Sequence, residues 1–400
     1  MYLTKEEEKM LNGEYGEATR KAMEILVALG DIFGADRLIE VSSVQVAGVS
    51  YDNIGDAGLE FLNELAKDGK VKVTTTLNPA GMDIENWKSL GISEEFAEKQ
   101  IQVIEAFKKL GIIPTCTCVP YLIGNLPRFG EHIAWSESSA VAFANSVIGA
   151  RTNREGGPSA LAAALTGKTP NYGLHLDENR QPEVLVKVKT NLKFIPEFGA
   201  LGYVLGKRIG NKIPLIVGVK HTTTEELKSL SASIATYGGT SIFHIAKITP
   251  ESKKIKRPKE KIEVDRKDIE NALKEINDEI EGEDIDFVCV GCPHASIKEI
   301  EKIAKLLQNK KVKVETWITT ARFIKKLADE AGYTKIIEEA GVKFACDTCM
   351  VVAPLKGRFK TLVTDSAKAC YYGKNKNNFK VKIGTVEECI NAAVNGKWKK

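Results

Sequence analysis

From residue 38 onward, short β-rich runs alternate with amphipathic helical stretches, and that alternation confines the chain to an α/β architecture on largely parallel sheets. A helical opening precedes it, with a capping-box pattern at Thr4-Lys5-Glu6-Glu7 and apolar Ala22, Ile25, Leu26 and Leu29 at helical spacing. Strands are expected at Leu38 to Val46, Val71 to Thr75 and Ile112 to Cys118, separated by helices around Ala57 to Ala66 and Glu94 to Leu110. Further helices are expected over Ser136 to Ile148 and Ala160 to Leu165. A middle section holds strands at Val184 to Val188, Ile213 to Val219 and Ser241 to Ile245, with a helix from Thr223 to Ala235. The last part alternates again: strands at Phe287 to Val290, Val312 to Trp317, Val342 to Ala345 and Thr361 to Val363, with helices from Ser296 to Leu307 and Thr320 to Ala331.

At roughly 150 residues per domain, 400 residues accommodate two or three domains. Residues 251–284 carry 21 charged side chains around one amphipathic stripe, Ile269, Leu273, Ile276 and Ile280, which reads as a solvated connector. Three units follow: 1–150, 151–284 and 285–400. No apolar run approaches the roughly 18 residues of a membrane span, and Met-Tyr-Leu-Thr-Lys-Glu-Glu-Glu is no signal peptide, so the expected location is cytoplasmic. The 57 basic and 53 acidic residues are spread along the chain, which gives no reason to expect nucleic acid as a partner. Of the basic residues 46 are Lys and 11 Arg, a Lys/Glu-rich surface of the kind found in heat-adapted proteins.

In open parallel sheets, ligands bind beyond the carboxyl ends of the strands. The residues that follow the expected strands are Gly48, Val49 and Ser50; Asn78 and Pro79; Cys116 and Cys118; Cys292; Cys346; and Thr364, Asp365, Ser366 and Lys368. Thiols thus arrive from three strand ends. Eight cysteines in a cytosolic chain favour metal binding or catalysis over disulfides. Six of them pair closely, as Cys116/Cys118, Cys289/Cys292 and Cys346/Cys349. Cys289 lies inside an apolar run and reads as core, Cys118 is nearer the strand end than Cys116, and Cys346 ends its strand ahead of Cys349. One thiolate per pair gives Cys118, Cys292 and Cys346. Three thiolates on separate loops suit a [4Fe-4S] cluster with one open iron, a Lewis acid for removing a hydroxyl group. The alternatives are a structural zinc on the two C-x-x-C pairs, although 53 residues separate them, and inert core cysteines.

Weaker signals accompany these. Gly156-Gly157-Pro158-Ser159, with Arg151 and Arg154 upstream, reads as an anion site or as a turn and helix cap. Ser366 and Lys368 suit a phosphate or carboxylate. Glu137 and Ser138 read either as a proton-transfer pair or as a helix start. His294 sits close enough to Cys292 to support it. Walker, G-x-G-x-x-G, H-E-x-x-H and G-x-S-x-G motifs are missing, which removes nucleotide enzymes, zincins and serine hydrolases from the leading readings.

Six ordered segments then resemble the aconitase X family: Ala47-Gly48-Val49-Ser50, Thr115 to Tyr121, Trp135 to Ala140, Gly149 to Gly157, Gly291-Cys292-Pro293-His294 and Thr364 to Lys368. The likeness spans nearly the whole chain. It implies an aconitase-like three-domain α/β/α architecture, with a cluster cleft at the strand C-terminal ends and without the mobile fourth domain. That domain, with the proton-abstracting serine, is then expected on a separate small subunit, which makes this the large subunit of a heterodimer.

Two activities accompany the resemblance: dehydration of (R)-5-phosphomevalonate to trans-anhydromevalonate 5-phosphate in the archaeal mevalonate pathway of isoprenoid biosynthesis, and dehydration of cis-3-hydroxy-L-proline. Split subunits, Lys-rich composition and the phosphate candidates favour the first. The likeness implies Gly48, Val49, Ser50, Asn78, Pro79, Glu137 and Ser138 as the substrate lining. Arg151, Ser366 and Lys368 are the candidates for phosphate or carboxylate. A non-enzymatic iron-sulfur protein that senses RNA is the competing class, and the chain lacks the basic, aromatic-studded face such a protein needs.

Overall fold

The computed structural model describes residues 1–253, 255–280 and 284–398. Three all-parallel sheets carry the fold. The first orders its strands Thr74–Leu77, Ser43–Val46, Ala134–Trp135. The second runs His244–Ile245, Pro214–Val217, Val184–Val188, Glu260–Val264. In the third, Lys343–Cys346, Glu315–Thr320, Phe287–Ala295, Thr361–Thr364 and Lys380–Ile383 lie side by side. Strand order reverses between Phe287–Ala295 and Thr361–Thr364, so the third sheet has its topological switch point, the customary place for a ligand, between those two strand ends.

Local sequence accounts for many boundaries. Thr4 and Glu7 form the expected reciprocal cap, and Thr223/Glu226, Ser296/Glu299 and Thr385/Glu388 repeat it at the starts of later helices. Helix Glu17–Phe33 buries Ala22 and Leu26 and ends on left-handed Gly34.

Several expectations shift. The run Val71 to Thr75 pairs only from Thr74, which brings its end to Leu77 and puts Asn78 directly after the strand. Ile112 to Cys118 forms no strand; it follows the sheet edge through a single bridge, Thr76 to Ile113, and Cys116 takes a positive φ of 42° that no strand permits. The charged stretch after residue 251 is not a mere connector: Glu260–Val264 pairs with Val184–Val188, and Arg266–Ile276 packs with Ile269 and Ile276 buried. Its charges lie on the outer faces of regular elements. Helix Gly157–Thr166, assigned above to the middle unit, packs instead against the first sheet and helix Glu17–Phe33, because its Ala/Leu surface is apolar all round and needs cover on every side.

One apolar core runs through all three units, joining Met82, Cys118 and Trp135 to Val186, Phe198 and Leu230, and to Cys289, Trp317 and Met350. The three sheets are thereby fixed around the region where their strand ends meet.

Candidate active site

Glu137 caps helix Ser138–Phe143 at the end of the first sheet's edge strand, and Lys368 stands in the first turn of helix Ala367–Asn375, just past the third sheet's switch point. The two are ion-paired. Asn78 Nδ2 donates to Glu137 Oε2 at 2.8 Å, and Ser139 Oγ donates to Oε1 at 2.9 Å. Burial pushes the Glu137 carboxyl up, but the Lys368 charge and these donors outweigh it and hold the group down at about 2. Burial alone would lower Lys368; Glu137 and the nearby thiols raise it well above the ordinary lysine range. Both are therefore charged at neutral pH. Asn78 Oδ1 remains buried with no partner among the described residues, an acceptor left over once Glu137 has fixed the amide.

Three thiols gather around this pair. Cys118, Cys292 and Cys349 lie within electrostatic reach of one another, and each feels the Lys368 cation. Each sulfur is also met by a donor. The His294 backbone N–H donates to Cys118 Sγ at 3.2 Å, the Ser366 hydroxyl faces Cys292, and the Val351 and Val352 backbone N–H groups face Cys349. Burial raises all three thiols, Cys292 to about 12, while these donors and Lys368 work the other way and favour the thiolate.

The third thiol of this group is Cys349, where Cys346 was expected. Along strand Lys343–Cys346 side chains alternate, so Phe344 and Cys346 enter the core on one face of the third sheet while Ala345 enters the other. Cys346 thus faces away from the cleft. Its charged surroundings are Asp83, Asp347, Arg322 and Lys325, without Lys368 or the other two thiols. The chain then turns at Asp347, with φ 61°, and swings Cys349 back. The signal available in sequence was the strand's two-residue period, which sets the last strand residue against the helices.

His294 ties the thiol-bearing segments together. Its Nδ1 meets Thr117 Oγ1 at 2.9 Å and its Nε2 meets the Thr348 carbonyl at 2.9 Å. Burial lowers it to about 4, so the ring is neutral, with Nε2–H donating to Thr348 and Nδ1 accepting from Thr117.

The segments read above as substrate loops are held tightly. Val49 and Ser50 are buried, Gly48 has φ 80°, and Ser50 Oγ donates across to the Val352 carbonyl at 3.3 Å. Gln100, unmarked in the sequence reading, governs these loops. Its Oε1 accepts from the N–H groups of Tyr51 (3.0 Å) and Gly81 (2.9 Å), and its Nε2 donates to the Val49 carbonyl at 2.8 Å. Pro79 is buried beside Asn78, and Ser138 is half-buried beside Glu137.

Arg151 is not part of this group. It bonds the His175 carbonyl at 3.1 Å, pairs with Asp177 and joins the His132 segment by a bridge. Nor does Gly156 to Ser159 form an anion cradle: Ser159 Oγ donates to Glu155 at 2.6 Å, and Gly157 is needed because a Cβ there would stand 2.8 Å from the Ala47 carbonyl oxygen.

Among the described residues no three His, Cys, Asp or Glu side chains are close enough to hold a single metal ion. Cys118, Cys292 and Cys349, each with a donor directed at its sulfur and close to the Lys368 charge, are the thiols that could hold an iron-sulfur group.

Parallel sheets that meet at their strand ends around buried thiols and an ion pair define an α/β protein with a thiol-lined site. Comparison with known proteins makes this specific. Aconitase X first, second and third domains match residues 1–178, 182–274 and 285–395, and the chain belongs to the aconitase X family. It is 52% identical to a phosphomevalonate dehydratase large subunit from Methanocaldococcus jannaschii, over 98% of this chain and 99% of the relative. It is 51% identical to that of Methanosarcina mazei, over 100% and 99%. A cis-3-hydroxy-L-proline dehydratase from Hypocrea jecorina is 33% identical over 98% of this chain, which spans 69% of that protein. The fold superposes on the crystal structure of Thermococcus kodakaraensis aconitase X (holo-form) with a TM-score of 0.92 at 50% identity, covering 98% of this chain and 100% of that one.

Proposed function

We propose that this chain is the large subunit of a phosphomevalonate dehydratase, a hydro-lyase that removes water from (R)-5-phosphomevalonate to give trans-anhydromevalonate 5-phosphate in the archaeal mevalonate pathway of isoprenoid biosynthesis. The observation that carries the reading is identity of about half to four phosphomevalonate dehydratase large subunits, each matched over nearly its full length, against about a third to hydroxyproline dehydratases of which the chain spans only 69–70%.

On this reading Cys118, Cys292 and Cys349 hold a [4Fe-4S] cluster whose open iron, when the cluster is bound, supplies a Lewis acid to the departing hydroxyl. The chain's own groups bind and orient. Asn78 Oδ1 is free to accept a substrate hydroxyl, because Glu137 holds its amide. Lys368 and Ser366 offer a cation and a hydroxyl at the switch point for phosphate or carboxylate. Glu137, kept ionised, positions Lys368 and Asn78 rather than donating a proton. Gly48, Val49, Ser50, Pro79 and Ser138 shape and dry the cleft. The base is expected on a small subunit, which the "large subunit" names of the relatives support, and the working location is the cytoplasm. No helix among the described residues is long and apolar enough to cross a membrane.

The test is anaerobic reconstitution with the small subunit, followed by parallel assays of water loss from phosphomevalonate and cis-3-hydroxy-L-proline. Turnover of phosphomevalonate alone is expected; turnover of hydroxyproline alone overturns the substrate.

A further inference from the structure

A buried ion network beneath the cleft joins the loop that follows Asn78 to the turn that carries Cys349. Asp83, fully buried in the first unit, accepts from Glu85 N (3.0 Å), Asn86 N (2.8 Å) and Arg322 Nη2 (2.6 Å), and its second oxygen accepts from Cys346 N at 2.9 Å. Arg322 belongs to the third unit. Its Nε and Nη2 both reach Asp347 Oδ2, and its Nη1 reaches Glu85 at 2.7 Å. Asp347 closes the circuit: its carbonyl accepts from Ala80 N at 2.7 Å, two residues beyond Asn78, and two residues further along its own strand end lies Cys349.

Two features show that this network sets geometry rather than simply filling space. Asp347 is held at φ 61°, a left-handed backbone that a residue with a side chain adopts at a cost, and this turn is what directs the chain from Cys346, facing the helices, to Cys349, facing the cleft. Asp83 also spends one carboxylate oxygen on the N–H of Cys346, the residue just before the turn. The guanidinium is the only cation among the described residues in ion-pairing range of Asp83 and Asp347, and the planar fork lets it engage both carboxylates at once.

We propose that Asp83 and Arg322 are positioning residues that act through Asp347: they set the Cys349 turn against the Asn78 loop, so that thiol and substrate-facing amide keep one fixed separation. This rests on the reading of Cys349 as a cluster ligand. Partners that orient metal ligands at one remove typically govern metal retention roughly 10- to 100-fold.

The test is iron release from the anaerobically reconstituted heterodimer to a ferrous chelator, well below the unfolding temperature, for wild type, Asp83→Asn, Arg322→Gln, Arg322→Lys and Cys349→Ser, with melting of each apo-protein recorded alongside. Asp83→Asn and Arg322→Gln are expected to release iron roughly tenfold or more faster while still folded, with Arg322→Lys between them and wild type because a compact ammonium keeps the charge but lacks the fork that engages Asp83, Asp347 and Glu85 together. Wild-type release rates in folded Asp83→Asn and Arg322→Gln, with lowered melting alone, make the network merely structural and overturn the proposal. If a variant fails to fold, the remaining ones decide, Arg322→Lys retaining the charge. Full cluster content in Cys349→Ser overturns the ligand reading on which the proposal stands, separately from the network.

Discussion

Lys368 and Glu137 lie 231 residues apart in the chain and form an ion pair between the third and first units, with Asn78 hydrogen-bonded to the same carboxylate. Side-chain exposures of 8% and 12% leave little water to screen it. Removing one partner strands the other, so Lys368→Met is expected to cost about 3–5 kcal/mol in chemical denaturation. Glu137→Gln keeps the shape and loses the charge that positions Lys368 and Asn78. A fall of roughly 100-fold in kcat, in the steady-state assay with the small subunit, is the expected result.

Cys118, Cys292 and Cys349 are expected to be individually indispensable for the cluster, whereas Cys346 is not. Iron and sulfide analysis after anaerobic reconstitution checks this: each of the first three changed to Ser lowers cluster content, and Cys346→Ser retains it, because its sulfur faces the opposite core.

Gln100 tests how much the substrate loops depend on one amide. It is fully buried and satisfies two N–H groups and one carbonyl from separate loops. Gln100→Leu leaves these groups unpaired at about 1–3 kcal/mol each at most. The kinetic signature is a raised KM with the loops loosened, measurable once thermal unfolding shows the variant is folded at the assay temperature.

His175 gives a pH dependence with a definite sign. Burial, with His132 and two arginines nearby, lowers it to about 3, and its Nδ1 shares a 2.9 Å hydrogen bond with His132 Nδ1. The folded protein keeps the ring neutral down to that pH, while the unfolded chain protonates it below about 6.5. Between these values the unfolded state binds more protons, so this group's contribution to stability is complete above pH 6.5 and is lost as pH falls toward 3. His175→Asn lacks the term. The stability gap between wild type and variant is expected to narrow, on the order of 2 kcal/mol, from pH 6.5 to pH 4.5 in urea titrations.

The α/β class, the parallel sheets and the placement of functional loops at strand ends were legible because hydrophobic periodicity and capping are local: Thr4 with Glu7 and Ser296 with Glu299 show the same reciprocal bonds that their spacing announces. Gly48 to Ser50, Asn78, Pro79, Ser366 and Lys368 follow expected strands in the sequence, while the substrate-lining role read for Gly48 to Ser50, Asn78, Pro79 and Glu137 came from the family resemblance. Strand Glu260–Val264 was hidden because its outward charges mask a half-buried pattern beside Val184–Val188.

What the sequence by itself determined is which segments turn and where their chemistry is offered: close pairs of thiols on three separate segments, and an acid and a lysine at two helix starts. What only the tertiary structure decided is which groups meet. Cys349 replaces Cys346 because the strand's alternation and the Asp347 turn, held by Arg322 and Asp83, choose the direction of each sulfur. Arg151 is drawn off to Asp177, and Gln100 and His294 gain their roles only when distant loops close around them. Periodicity acts over three or four residues, whereas these partnerships span tens to hundreds, and burial makes a partner across that distance worth more than any neighbour in the chain.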